Sequence, residues 1–195
     1  MKKDSLAGMV LSLGIITVIA GTLLGIVNYY TADAIENAAQ QAKVEALALI
    51  LPEFDNDPIA EAQGRAVEGD TLLLYPATSG GFPVGCAVEC IAHDGFSGDI
   101  SLMFGFNADG TVHGYKVLNH SETPGLGAKM DEWFRDKTGH RSIIGIDPGN
   151  NGIHVSKDGG EVDGITAATI TSRAFLGALN RAYKAYESYS NTSKE

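Results

Sequence analysis

The chain has 195 residues, enough for one well-buried domain with a small appendage, and its formal net charge is −10. Nothing in it resembles a basic stripe for neutralising phosphates, which argues against nucleic acid as a partner. Acidity of this degree otherwise means solubility.

In chain order, the first feature is LAGMVLSLGIITVIAGTLLGIV, residues 6–27, a run without a single charge. A helix rising about 1.5 Å per residue crosses a hydrocarbon core of about 30 Å over that length, so the run reads as a membrane span. A cleavable secretory signal competes, since TADA at residues 31–34 imitates a small-residue cleavage site. It is the weaker reading, because signal cores run to about 7 to 15 apolar residues. Lys2 and Lys3 precede the span and the next cation is Lys43. The positive-inside rule then keeps the amino terminus in the cytoplasm and exports everything after Tyr30, with Tyr29 and Tyr30 at the far interface.

Residues 31–51 lack Gly and Pro and are rich in Ala, Gln and Glu, which predicts a helical stalk; Pro52, Pro58, Gly64 and Gly69 then predict a loop or short helix. From Thr71 the texture changes to short apolar runs at residues 72–75, 84–92, 100–106 and 112–118, separated by turn chemistry. These predict an antiparallel sheet, with a tight hairpin at residues 107–110 in which Asp109 and Gly110 take positive φ. The alternation Val84, Cys86, Val88, Cys90 puts both cysteines on one strand face, too far apart to bridge, and favours their burial over a zinc site. A short helix over residues 130–137 around Trp133 and Phe134 follows, then strands near 142–146 and 153–156. The clearest helix of the soluble part covers residues 169–186, with Phe175, Leu179, Ala182, Tyr183 and Tyr186 facing the sheet, and Arg173, Asn180, Arg181 and Lys184 facing outward. The expected architecture is α+β: an antiparallel sheet packed against a carboxy-terminal helix, preceded by one transmembrane helix. Residues 1–30 are the cytoplasmic terminus and anchor, 31–70 the stalk and linker, and 71–190 the folded domain.

Two stretches carry candidate chemistry. In VDGITAATITSRAF, Asp163, Gly164 and Thr166 lie where the chain turns into the terminal helix, and a hydroxyl there is most often a cap accepting a backbone N–H. The same place is a ready anion site, because unpaired N–H groups and the helix dipole both favour phosphate; Gly164, Ala167 and Ala168 keep the backbone approachable. In NHSETPGLGAKM, Pro124, Gly125 and Gly127 mark a loop that exposes backbone donors, and Lys129 adds a cation to an acidic domain. His120 and Glu122 are too sparse for a metal site or an acid/base pair and read as ordinary loop polars. None of the five histidines sits in a recognisable nucleophile motif, which leaves a Ser or Cys hydrolase little support.

DGITAAT, with HSETPGLG upstream, GFSGDI before the central strands and a single amino-terminal span, resembles the FMN-binding domain of the RnfG and NqrC subunits of membrane redox complexes. In that family a threonine closing a D-x-x-[ST]-G-A-T pattern carries FMN through a phosphoester placed by a dedicated flavin transferase. The resemblance implies that Asp163 matches the acidic residue, Thr166 the Ser/Thr, Ala168 the alanine and Thr169 the modified threonine, with Thr171 the next hydroxyl to consider. Ala167 stands where the family usually has glycine. Thr123, Gly125, Leu126, Gly127 and Lys129 are then expected along the ribityl chain or ring, and Lys129 and Arg173 as cations near the phosphate. No metal is expected. The implied protein is an electron-transfer flavoprotein subunit of a membrane-bound ion-translocating redox complex of Rnf type, a ferredoxin:NAD oxidoreductase, and a part of a multi-subunit translocase rather than an enzyme alone. It is anchored in the inner (cytoplasmic) membrane with its soluble domain on the periplasmic or outer side, and its partners are the other subunits and the transferase. The modest length resembles RnfG more than the generally longer NqrC; an NqrC-like subunit of a sodium-translocating NADH:quinone reductase and a noncatalytic membrane-anchored FMN-binding module are the alternatives.

Overall fold

The structure, a computed structural model, describes residues 6–149 and 151–192. Lys2 and Lys3, which are expected to orient the span, lie outside the described residues. One uninterrupted helix, α1 (Leu6–Ile50), contains both the expected span and the expected stalk, and it stops just before Pro52. It is long and apolar enough to cross a membrane. Hydroxyls within the apolar run do not spoil it: Ser12 donates to the Met9 carbonyl at 3.0 Å, Thr17 to Leu13 at 2.9 Å and Thr22 to Val18 at 2.8 Å. Each polar group is thereby satisfied by its own helix, as a hydrocarbon environment requires.

The chain divides into two compact units, the first ending at Ala42 and the second running from Lys43 onward. In the second, five strands follow one another as an antiparallel meander in the order β1-β2-β3-β4-β5. They are β1 (Gln63–Val67), β2 (Asp70–Ser79), β3 (Phe82–Ala92), β4 (Ile100–Asn107) and β5 (Val112–Asn119). β2 to β5 are the four expected strands, whereas β1 arises from a segment expected to be linker. Two-residue turns join the first hairpins: Glu68 (φ 53°) with Gly69 (φ 95°), and Gly80 (φ 58°) with Gly81 (φ 82°). Positive φ at both central residues matches the twist of the paired strands. The turn after β4 is longer than predicted; Gly110 alone takes positive φ (92°), and Asp109 instead uses its carboxylate to accept from Thr111 N–H at 3.0 Å.

Helix α3 (Thr169–Thr192) covers one face of the sheet. Phe175, Leu179 and Ala182 are fully buried on it, with Tyr186 nearly so, among Cys86, Val88, Cys90, Leu102, Phe104 and Phe106 of the strands. The faces of α3 fall as the spacing predicted, except at two positions: Asn180 turns inward and pairs with Ile153, donating to its carbonyl at 3.0 Å and accepting from its N–H at 2.8 Å, and Arg181 is half-buried and donates to the Ile91 carbonyl of β3 at 3.0 Å. Both thiols are buried, and burial pushes each up to about 12.

The opposite face is covered by the last turns of α1 and the residue that follows it, where Ala46, Leu47, Ile50 and Leu51 pack with Tyr75, Ala77, Ala87 and Met103. Lys43 pairs with Glu89 at 3.1 Å, and Glu89 also accepts from the Tyr75 hydroxyl at 2.6 Å. The approach of helix to strand is close: a Cβ on Gly105 would lie 1.8 Å from the Ile50 carbonyl oxygen.

Between β5 and α3 the chain makes a long crossing with little regular structure. α2 (Met130–Trp133) is shorter than the helix expected over residues 130–137, and Phe134 leaves it to stack on Phe175 at 4.4 Å between centroids. No strand forms over residues 142–146, because Gly145 takes φ 81° and breaks the extended run. The segment still clips to the start of β5 through Val112 N–H to Ile146 carbonyl (2.9 Å) and Gly145 N–H to Val112 carbonyl (2.8 Å). Residues 153–156 contribute only one isolated bridge, Val155 to Val162.

The crossing ends in a turn where Ala167 has φ 63°. This is the position at which the resembled family usually carries glycine, and a left-handed backbone supplies the reason, since it costs an L-residue about 1–2 kcal/mol. Ala167→Gly relieves that strain but adds about 0.4–1 kcal/mol of unfolded-state entropy, so a net stabilisation of about 0.5–1 kcal/mol is expected as a higher urea midpoint at unchanged slope. Gly105→Ala is expected to destabilise by about 2–3 kcal/mol, because neither the Ile50 backbone nor the strand can yield cheaply; a loss below about 0.5 kcal/mol would show that α1 is not seated there.

Candidate functional site

Three segments far apart in sequence converge at the amino-terminal end of α3 and line a cleft of ≈ 310 Å³. Phe96 comes from the turn after β3; Glu122, Thr123, Leu126 and Gly127 from the loop after β5; and residues 167–171 from the helix start. Apolar side chains stand open around it, with Phe96 66%, Ile170 47% and Leu126 41% exposed.

Glu122 holds the segments together. It is 5% exposed, and its carboxylate accepts from Ser97 N–H at 3.0 Å and from the Thr171 hydroxyl at 2.8 Å. Its own N–H donates to His120 Nδ1 at 3.1 Å. A buried carboxylate is tolerable only when its oxygens are satisfied, and here both are. Gly127 makes room for this arrangement: a Cβ there would come within 2.3 Å of Glu122 Oε2 and 2.8 Å of Thr171 Oγ1. In the sequence Glu122 reads as an ordinary loop polar, and no local pattern marks it as buried.

The hydroxyls of the helix start take different roles. Thr171 is 1% exposed and committed to Glu122. Ser172 is fully buried; its oxygen accepts from Ile165 N–H at 2.8 Å and donates to the Ala168 carbonyl at 2.9 Å, which pins the turn to the helix. Thr166 is exposed on the turn and lies outside the cleft lining. Thr169, the first residue of α3, lines the cleft, is partly exposed, and accepts from Lys157 Nζ at 3.2 Å. As the first helical residue it stands beside N–H groups that have no intrahelical acceptor.

The remaining expected residues divide between cleft and scaffold. Ala168, Thr123, Leu126 and Gly127 line the cleft, whereas Gly125 (φ 78°) shapes the loop and Lys129 sits beyond the lining. Asp163 lies away from the lining and ties the crossing together: its carboxylate accepts from His140 N–H at 3.1 Å and its carbonyl from Trp133 Nε1 at 2.7 Å. Arg173 binds Asp158 through two 2.7 Å hydrogen bonds, which hold that carboxyl below the usual range. The cation on the Thr169 hydroxyl is therefore Lys157, which no sequence motif singles out.

Residues 95–184 match the family model of the FMN-binding domain, which spans all three cleft segments. Among similar proteins, the G subunit of the ion-translocating oxidoreductase complex of Shewanella oneidensis is 36% identical over 183 residues, covering 88% of this chain and 85% of that one. The corresponding protein of Shewanella loihica is 35% identical over 181 residues, covering 87% and 84%. That of Vibrio vulnificus is 34% identical over 196 residues, covering 95% and 89%. The chain belongs to the family of G subunits of ion-translocating oxidoreductase complexes, and residues 95–184 are its FMN-binding domain.

Proposed function

We propose that this chain is the electron-relay subunit of a membrane-bound ion-translocating oxidoreductase complex of Rnf type, carrying FMN on Thr169 through a phosphoester. The observation that carries this reading is the placement of one hydroxyl: Thr169 combines access to the cleft, a helix amino terminus and a neighbouring cation. Its rivals are occupied or misplaced, since Thr171 and Ser172 are buried in hydrogen bonds and Thr166 lies outside the lining.

The cleft fits the cofactor in kind. Its volume of ≈ 310 Å³ falls within the range of about 300–1,000 Å³ usual for ligand sites. Phe96, Leu126 and Ile170 offer apolar surface to a planar ring, while the first turn of α3 and Lys157 offer positive potential to a phosphate. FMN supplies the electron chemistry when bound, and this chain positions it and sets its surroundings. Covalent attachment suits a domain on the outer face of the membrane, where no cytoplasmic pool refills a dissociable site, because a tether keeps the effective concentration high. In this reading α1 anchors the domain beside the other subunits, the amino terminus stays cytoplasmic, and a flavin transferase acts during maturation. The relatives' names favour this complex over the sodium-translocating quinone reductase.

Produced together with a flavin transferase, the wild-type chain is expected to gain the mass of one FMN and to stay yellow through denaturation and dialysis. Thr169→Ala is expected to remain at its polypeptide mass, with an unchanged thermal midpoint. An FMN mass retained by Thr169→Ala would contradict the assignment.

A further inference from the structure

Lys157 reaches Thr169 from a segment built to hold it in place. Residues Ser156–Asp158 form a single 3-10 turn, closed by Asp158 N–H to the Val155 carbonyl at 2.9 Å and Gly160 N–H to the same carbonyl at 3.1 Å. Gly160 keeps the turn tight, since a Cβ there would come within 2.1 Å of the His154 carbonyl oxygen. The next residue, Asp158, grips Arg173 of α3 bidentately, each bond 2.7 Å long. Arg173 lies one helical turn beyond Thr169. The turn is thus fastened to the first two turns of α3, and the lysine between its anchor points lies against the hydroxyl at 3.2 Å.

We propose that Lys157 is a positioning residue for flavin attachment: its ammonium orients the Thr169 hydroxyl for attack at phosphorus and then neutralises the phosphodiester that forms. This rests on Thr169 being the attachment residue. In the step, the Thr169 Oγ1–P bond forms while the bond from phosphorus to the leaving group of an activated flavin nucleotide breaks. That leaving group departs with the bonding electrons, and the hydroxyl proton passes to a base of the transferase. No redox change is involved. A donor on Oγ1 points the hydroxyl proton away from the ammonium and leaves a lone pair for the incoming phosphorus. A fixed positive charge also stabilises the negative charge that gathers on the phosphoryl oxygens. The ester product keeps one negative charge beside the same ammonium, so no group has to move between the two tasks. Arg173 turns Nε and Nη2 toward Asp158, and the ammonium of Lys157 is the cation that donates to the Thr169 hydroxyl.

The test follows covalent flavin by intact mass over time, with the full chain in membranes and a flavin transferase supplied. Wild type and Lys157→Arg are expected to load at similar initial rates. Lys157→Met is expected to load about tenfold more slowly, the scale of one charge-assisted hydrogen bond, with its thermal midpoint within about a degree of wild type. Arg173→Gln, which loosens the turn without touching either reacting group, is expected to fall between them. Loading of Lys157→Met at the wild-type rate, or of Lys157→Arg as slowly as Lys157→Met, would overturn the proposal. Loading of Thr169→Ala in the same experiment would instead overturn the attachment site on which it rests.

Discussion

Burying a carboxylate is costly unless hydrogen bonds replace the water it loses, and the cleft of this protein is organised by one such replacement. Glu122 takes its donors from Ser97 and Thr171, so satisfying one side chain draws together the turn after β3, the loop after β5 and the first turn of α3. Those two donors lie 25 and 49 residues from it. A Cβ on Gly127 would strike this carboxylate, and one on Gly95 would strike the Gly98 carbonyl oxygen at 2.2 Å and crowd Glu122 Oε1 at 3.0 Å. With Thr171 committed inward, the partly exposed Thr169 is the hydroxyl the helix start presents to the cleft.

The sheet supplies the rigid support for this arrangement. α3 buries Phe175, Leu179 and Ala182 on one face, and the end of α1 buries Leu47 and Ile50 on the other. The cleft is thereby lined by the first turn of a helix whose later turns are locked in the core, an arrangement that suits holding a ligand in one geometry. Lys43 and residues 46–51 belong to the folded unit, where Lys43 pairs with Glu89 and the end of α1 packs on the sheet.

Much of this was legible in the sequence because it depends on short-range pattern. An uncharged run long enough to cross a bilayer, four short apolar segments, and a helix with Phe175, Leu179 and Tyr186 on one side each announce themselves locally. What stayed hidden depends on tertiary context. β1 is a polar edge strand, QGRAV, whose alternation is weak because little of it is buried. Residues 142–146 look like a strand until Gly145 adopts its left-handed conformation. Glu122 and Lys157 sit in Gly-rich irregular stretches, where no periodicity predicts what a side chain will meet. Lys157 in particular reaches Thr169 through a pairing of Asp158 with Arg173 that spans 15 residues. The departure at Ala167 gained its meaning only from the backbone, whose φ of 63° shows why a glycine belongs there.

The most direct measurement is made on the native chain isolated from cells that contain a flavin transferase. Trypsin releases residues 158–173, bounded by Lys157 and Arg173, as one peptide that holds Thr166, Thr169, Thr171 and Ser172 together. Tandem mass spectrometry of that peptide is expected to show one FMN, with every fragment that carries the added mass containing Thr169. An unmodified peptide, or an added mass that maps to Thr166, Thr171 or Ser172, would contradict the assignment of the flavin to the mouth of α3.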